Sequence, residues 1–277
     1  MKRLLFFAGL IAAVVLTVGS CSKDLKTESG NGILKISVTD APFPVEFIEE
    51  AKVQIIKVEA RLKDYDEGYP FITLLEDTLE FNLLDLRNGV TAELAEMEVP
   101  AGDYDLIRLY VESAGITVKD HGSYEMKVPS GAQTGIKIFV DPAITVAGGL
   151  TSDLLLDFDL KESFILKGNI SSPAGIKGFN FKPVIRAANM SFSGSVNGMV
   201  TDTSDVLIPV AEVWIKADTV IATALSDSSG YYALPGIPEG SYTIFAAKEN
   251  YDTLSIDNVR VVAGNNTKVD IELIPKN

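Results

Sequence analysis

One cysteine, one histidine and one tryptophan occur among 277 residues, and each scarcity removes a class of chemistry. The lone cysteine, Cys21, cannot close a disulfide within the chain. A zinc site draws on more His and Cys side chains than are present, so no metal is expected. A Ser-His-Asp arrangement would have to run through His121, in the turn KDHGSY, and no nucleophile-elbow signature accompanies it. His121 therefore reads as a solvated loop residue. Glycine-rich phosphate loops are missing too, because GNGIL and AGGLT lack the spacing and the lysine. No cofactor is expected. Basic residues number 24 against 38 acidic ones, a net charge of −14, which argues against nucleic acid and against polybasic docking on anionic lipid. Helical periodicity is scarce, and the one modest helix candidate covers residues 91–97.

Long apolar runs are equally rare, with one exception. Met1, Lys2 and Arg3 make a short positive start, and residues 4–19 are apolar or small. A membrane-spanning helix needs about 20 apolar residues, so this shorter run has the length and flanks of a secretory signal. It ends in Val18, Gly19, Ser20 and Cys21. That order resembles the lipobox of bacterial lipoproteins. The resemblance implies cleavage before Cys21, a diacylglycerol on its sulfur and a third acyl chain on the new amino group. The thiolate is the nucleophile such chemistry needs, and several acyl chains together anchor stably. Ser22 is not the aspartate that favours inner-membrane retention in enterobacterial lipoproteins. Lys23 and Asp24 faintly resemble the tag that sends some lipoproteins to the outer face of the outer membrane. The expectation is a signal over residues 1–20, a lipidated cysteine and tether over 21–32, and anchoring in the outer membrane with the chain exposed at the surface.

What is abundant is alternation. ILKISVTD sets Leu34, Ile36 and Val38 against Lys35 and Ser37, the period of a half-buried strand. AKVQIIKVEARL alternates but slips at Ile55–Ile56, as a β-bulge would allow. Further short segments with the same pattern are bounded by Gly, Pro, Asn, Asp or Ser, the rhythm of a sandwich or barrel. A hydrophobic share of 47% is ample for two cores. The sequence turns polar at NMSFSGS, near residues 189–195, where a second strand series begins. The expected fold is all-β, two Ig/transthyretin-like sandwiches in tandem over residues 33–189 and 193–275. Val99-Pro-Ala-Gly-Asp-Tyr104 and Ile237-Pro-Glu-Gly-Ser-Tyr242 share one pattern. In it a turn precedes a tyrosine expected to bury its ring and hydrogen-bond back across the corner.

The second half carries Gly198-Met-Val-Thr-Asp202, Pro209-Val210, Ala211, Val213, Ser226-Asp227, Gly230-Tyr-Tyr-Ala-Leu234, Gly236-Ile-Pro-Glu-Gly-Ser-Tyr242 and Tyr251. These residues resemble the carboxypeptidase regulatory-like domain, a transthyretin-like sandwich in the carbohydrate-binding-like fold group. In the first half stand Val38-Thr-Asp-Ala-Pro42, Leu84-Asp-Leu-Arg-Asn-Gly89, Pro100-Ala-Gly, Ile107-Arg-Leu109, Val128-Pro-Ser-Gly131, Gly135-Ile-Lys-Ile138, Leu156-Asp-Phe-Asp159 and Lys182-Pro-Val-Ile185. They resemble a lipoprotein domain family known as domain of unknown function 4382. Neither resemblance implies a catalytic residue.

Candidate sites are few. Asp157 and Asp159 in LLLDFDL project from one strand face, roughly 7 Å apart by the strand rise. That spacing suits acid/base work, a calcium ion, or an ion pair with Arg108 of DLIRLYV. No DxDxDG loop supplies calcium ligands, and the ion pair with Arg108 is the reading adopted. In AEVWIKAD, Val213 and Ile215 take inward positions and leave Trp214 outward; in GYYAL, Tyr231 likewise faces out. Exposed aromatic faces stack on sugar rings or anchor a protein partner; the other reading packs Trp214 against the first sandwich. Tyr65 and Tyr69, in KDYDEGYPF, form a second loop candidate beside the reading of a solvated hairpin. The expected function is a lipid-anchored, non-catalytic binding or adhesion module whose ligand is a glycan or a protein at the cell surface. A subunit of a fimbria-like assembly is the alternative, and a hydrolase using the acidic pair is the second.

Overall fold

The computed structural model describes residues 30–41, 47–65, 68–169 and 175–276. The signal segment, Cys21 and Pro42 lie outside them. Among the described residues, twelve strands form the first half: β1 (Asn31–Ala41), β2 (Ile48–Leu62), β3 (Phe71–Leu75), β4 (Leu79–Asn82), β5 (Ala92–Pro100), β6 (Gly102–Val118), β7 (Gly122–Lys127), β8 (Ile136–Val146), β9 (Thr151–Asp159), β10 (Phe164–Gly168), β11 (Ile176–Phe181) and β12 (Ile185–Asn189). One sheet has the order β12-β9-β1-β5; a second joins β3, β2, β6 and β7, with β4 beside β2 and β8 beside β6. β10 and β11 form a separate hairpin. The alternating apolar residues explain why the two sheets face each other. Leu34, Ile36, Val38, Leu154, Leu156 and Phe158 from one sheet meet Val53, Val58, Ile107, Leu109 and Val111 from the other in a single buried core.

The second half is built from β13 (Ser193–Asp202), β14 (Glu212–Lys216), β15 (Val220–Leu225), β16 (Tyr231–Pro238), β17 (Gly240–Ala247), β18 (Leu254–Val261), β19 (Asn266–Lys268) and β20 (Ile271–Leu273). β16, β13, β19 and β20 make one sheet and β15-β14-β17-β18 the other. Val196, Val213, Ile215, Tyr232, Leu234 and Ile244 fill a second core that shares no residue with the first. The fold is all-β, two sandwiches in tandem, as expected.

The register of β2 against β6 shifts around Ile55, from Gln54 to Lys57, where the alternation of the sequence slips. One local expectation fails. Residues 91–97 are not helical; Ala92 begins β5, which pairs antiparallel with β1 from Asn31↔Pro100 to Val38↔Ala92. The segment AELAEME favours a helix by propensity, but the open edge of β1 offers it a full ladder of hydrogen bonds, and tertiary context overrides so weak a prior.

Both tyrosine corners form as the repeated pattern implies. Tyr104 donates to the Pro100 carbonyl at 2.8 Å and Tyr242 to the Pro238 carbonyl at 2.9 Å. Tyr104 is fully buried, and burial pushes its phenol up to about 12. Tyr104→Phe keeps the ring and strands the carbonyl, so it is expected to cost about 0.5–1.5 kcal/mol in chemical denaturation at neutral pH. The native phenol is held neutral. Its contribution is intact below the unfolded pKa of about 10 and fades as pH rises toward its folded value. That part of the alkaline instability should be missing from the variant, and identical base titrations of the two proteins would refute the assignment.

Candidate functional site

The two sandwiches meet on the outer face of the β12-β9-β1-β5 sheet. Along β9, Leu154, Leu156 and Phe158 turn into the core, so Asp153, Leu155 and Asp157 fall on the opposite face. On β12, Arg186 lies opposite Asp157 in the antiparallel ladder. The end of β16 comes down on this face. Gly236 has φ +63°, and a Cβ there would lie 2.8 Å from Ala188 Cβ and 3.1 Å from Leu155 Cδ2. Only glycine permits both that backbone and that approach.

Arg186 ties the junction together. Its Nη2 donates to Asp157 Oδ2 at 2.8 Å and to the Pro235 carbonyl at 3.3 Å, while Nη1 donates to the Gly236 carbonyl at 2.6 Å. One guanidinium thus joins β9 and β12 of the first sandwich to β16 of the second. Asp157 is 8% exposed. Burial pushes its carboxyl upward, opposed by the charge and hydrogen bond of Arg186. A second cross-junction pair, Lys161 to Glu212 at 3.5 Å, is solvent-exposed and stabilises little.

Two grooves with no lining residue in common open at this junction. One, of about 510 Å³, is lined by Asp157, Asp159, Lys161 and Arg186 from the first sandwich and by Glu212 and Trp214 from the second. Trp214 pairs with Phe245 across β14 and β17, and their rings stack at 5.3 Å with planes 7° apart. Val213 and Ile215 on either side are fully buried, so the indole lies on the outer face of its sandwich. It is half-buried there and faces the first sandwich across the groove. The other groove, of about 560 Å³, is lined by Tyr231 together with Asn88, Asn197 and Asn266.

The proposed pairing of Arg108 with Asp157 and Asp159 does not exist. Arg108 is on β6 and Asp157 on β9, in different sheets, and each points away from the shared core, so the full thickness of the sandwich separates them. Arg108 instead donates from Nη1 to Tyr69 Oη at 2.9 Å and pairs with Glu59 at 3.4 Å, its guanidinium 3.8 Å from the Phe71 ring centroid. Glu59 is 2% exposed. It also accepts from Lys57 at 2.8 Å, from Tyr110 at 2.9 Å and from Tyr69 at 3.1 Å. Burial pushes its carboxyl upward, but the bonds from Lys57 and Tyr110 prevail and bring it below its ordinary value. Tyr69 is therefore tied into a polar cluster on the outer face of the six-stranded sheet. Asp159 accepts a hydrogen bond from the Glu162 amide at 3.0 Å and so starts the helical turn α1 (Leu160–Ser163). His121 is exposed in its turn. Among the described residues no group of three or more His, Cys, Asp or Glu side chains could hold a metal ion.

Arg186 is the residue that sequence reading missed. Its signal was the same as that of Arg108, a lone arginine in an apolar strand, here Lys182-Pro-Val-Ile-Arg186-Ala-Ala. Asn88, in the stretch Leu84-Asp-Leu-Arg-Asn-Gly89, has a φ of +54° that marks a left-handed turn before Gly89.

Two tandem β-sandwiches joined through an arginine, with grooves flanking the joint, define the class of protein. The chain belongs to the family described as domain of unknown function (DUF4382), whose model matches residues 31–183. Residues 195–274 match the model of the carboxypeptidase regulatory-like domain. A search of curated proteins finds none that matches. Solved structures with likeness include wild-type catechol 1,2-dioxygenase of Acinetobacter radioresistens, 13% identical over 31% of this chain and 53% of that one, TM-score 0.26. The chain thus spans about half the length of that dioxygenase. The Bacillus anthracis TIE protein is 14% identical over 89% of this chain and 34% of its own, TM-score 0.26. A mutant of the shaft pilin SpaA from Lactobacillus rhamnosus GG is 11% identical over 90% of this chain and 98% of its own, TM-score 0.28. Likeness at this level carries no argument about activity.

Proposed function

We propose that this is a lipoprotein held in the outer membrane through lipid on Cys21, exposed at the cell surface, and acting as a non-catalytic binding or adhesion module. The single observation behind the binding reading is the Trp214 groove. A flat indole, backed by Phe245, meets charged and polar groups of a second domain in a cleft of about 510 Å³, within the usual range of roughly 300–1,000 Å³ for small-molecule sites. The acidic pair is otherwise engaged, Asp157 by Arg186 and Asp159 by the Glu162 amide, which speaks against a hydrolase. The acidic surface suits neutral or cationic partners at the cell exterior rather than nucleic acid.

Trp214 is the only tryptophan, so its fluorescence reports the groove alone. Iodide is expected to quench it, and a ligand in the groove to protect it. Trp214→Ala should cost about 0.5–1.5 kcal/mol of stability, the worth of the lost ring stack, and should weaken binding by more than ~1 kcal/mol. The test is the full chain in detergent, screened on arrays of glycans and of extracellular proteins. A bound ligand lost on Trp214→Ala supports the reading. No ligand on either array, or one indifferent to the substitution, refutes the groove as the site.

A further inference from the structure

We infer that the second junction groove, the one containing Tyr231, is a binding site for a neutral saccharide. The inference goes beyond the binding reading, because it assigns a different groove that shares no lining residue with that of Trp214. Three asparagine side chains converge there, Asn88 from the first sandwich and Asn197 and Asn266 from the second, with the hydroxyls of Ser37 and Thr91.

Much of that hydrogen-bonding capacity is uncommitted. Asn88 Oδ1 is shielded from water and accepts no hydrogen bond, a costly state for a polar atom. Rotation about the last bond of its side chain, a broad two-fold torsion, exchanges that oxygen with the amide nitrogen and lets either meet a ligand. Asn266 Oδ1 accepts from Ser195 at 3.1 Å, leaving its NH₂ to donate. Tyr231 Oη accepts from Asn197 Nδ2 at 3.2 Å, so its own proton is free to be donated, and its half-buried ring offers a face.

Charge narrows the class. Among the described residues Asp153 is the only charged one that lines the groove, and no cation lines it. A phosphate, sulfate or uronate would find no counter-ion and would face a chain of net charge −14. A strongly cationic ligand would find a single carboxylate. Paired amide donors and acceptors, hydroxyls and one aromatic face fit a polyhydroxylated, uncharged ring, whose hydroxyls both donate and accept while its C–H face packs on Tyr231. A volume of about 560 Å³ accommodates a short oligosaccharide. The site also needs both domains, because Asn88 comes from one and Tyr231 from the other.

The test is calorimetric titration of the full chain in detergent with neutral gluco-, manno-, galacto- and xylo-oligosaccharides, and with oligogalacturonate as the anionic control. At least one neutral series should bind and oligogalacturonate should not. Tyr231→Ala and Asn88→Gly should each weaken binding by at least ~10-fold, the second chosen because glycine accepts the left-handed backbone at that position. Tyr231→Phe, which keeps the ring, should lose less. Thermal melting verifies that each variant folds, and His121→Ala, in an exposed turn that lines neither groove, should leave the affinity unchanged. Binding that disappears with Trp214→Ala and survives Tyr231→Ala overturns this inference while sustaining the Trp214 groove. Preference for oligogalacturonate, or no binding by any neutral series, overturns it as well.

Discussion

Arg186→Ala is expected to destabilise the protein by about 3–5 kcal/mol, the cost of breaking a buried ion pair from one side. The guanidinium holds Asp157 and two carbonyls of the second sandwich at once, so its loss leaves a buried carboxylate without a cation and opens the junction at Gly236. Arg186→Lys should recover only part, since one ammonium cannot reproduce a planar fork aimed at three oxygens. The effect has a defined pH dependence. Burial already raises the Asp157 carboxyl in the native protein, with Asp159 adding to the rise, and Asp40, itself 95% buried, is raised by burial and then by Asp157. Without Arg186 the Asp157 value rises further. A carboxyl whose folded pKa lies above its unfolded one gives stability that is complete at low pH and lost as pH rises through the folded value. The deficit of the variant should therefore be smaller in mild acid than at neutral pH. Denaturant titrations at both pH values decide it, and a loss below ~1 kcal/mol at neutral pH would mean that Arg186 is no more than a solvated contact. Limited proteolysis gives an independent readout, because a loosened junction should be cut faster near residues 189–195.

Cys21→Ala is expected to abolish incorporation of labelled palmitate and to leave the precursor uncleaved. The effect should be all or none, because the proposal makes this sulfur the acylated atom and no other cysteine exists to replace it. The fold should not change, since both cores are assembled from residues 34–273. Fractionation should then move the chain out of the outer membrane, because stable attachment depends on several acyl chains together. Undiminished labelling of the variant would remove the basis for the localisation proposed here.

How far the sequence could be read depended on the range of the interaction. The inward residues of β1, β6, β9 and β14 were legible, because alternation fixes which face a side chain takes once a strand exists. Both tyrosine corners were legible for the same reason, since each bond closes over four residues, from Tyr104 to Pro100 and from Tyr242 to Pro238. The outward placement of Trp214 followed directly from buried Val213 and Ile215. Residues 91–97 were misread because their propensity is local and the edge of β1 that captures them lies more than fifty positions away.

The charges mark the limit most clearly. Arg108 and Arg186 give the same signal in sequence, a lone arginine in an apolar strand, and only sheet order tells them apart. β6 carries Arg108 to the outer face of one sheet beside Glu59 and Phe71, while β12 carries Arg186 to the outer face of the other beside Asp157. The grooves are still less local. Trp214 and Tyr231 belong to the second sandwich, and what faces them, Asp157 and Arg186 in one groove and Asn88 in the other, is supplied by the first. Most strands, their inward faces, the two cores and the tyrosine corners follow from residue order alone, because backbone period and short-range hydrogen bonds act within a few residues. The partner of each buried charge and the composition of each groove come from strand order, register and the docking of one sandwich on the other, which no local pattern encodes.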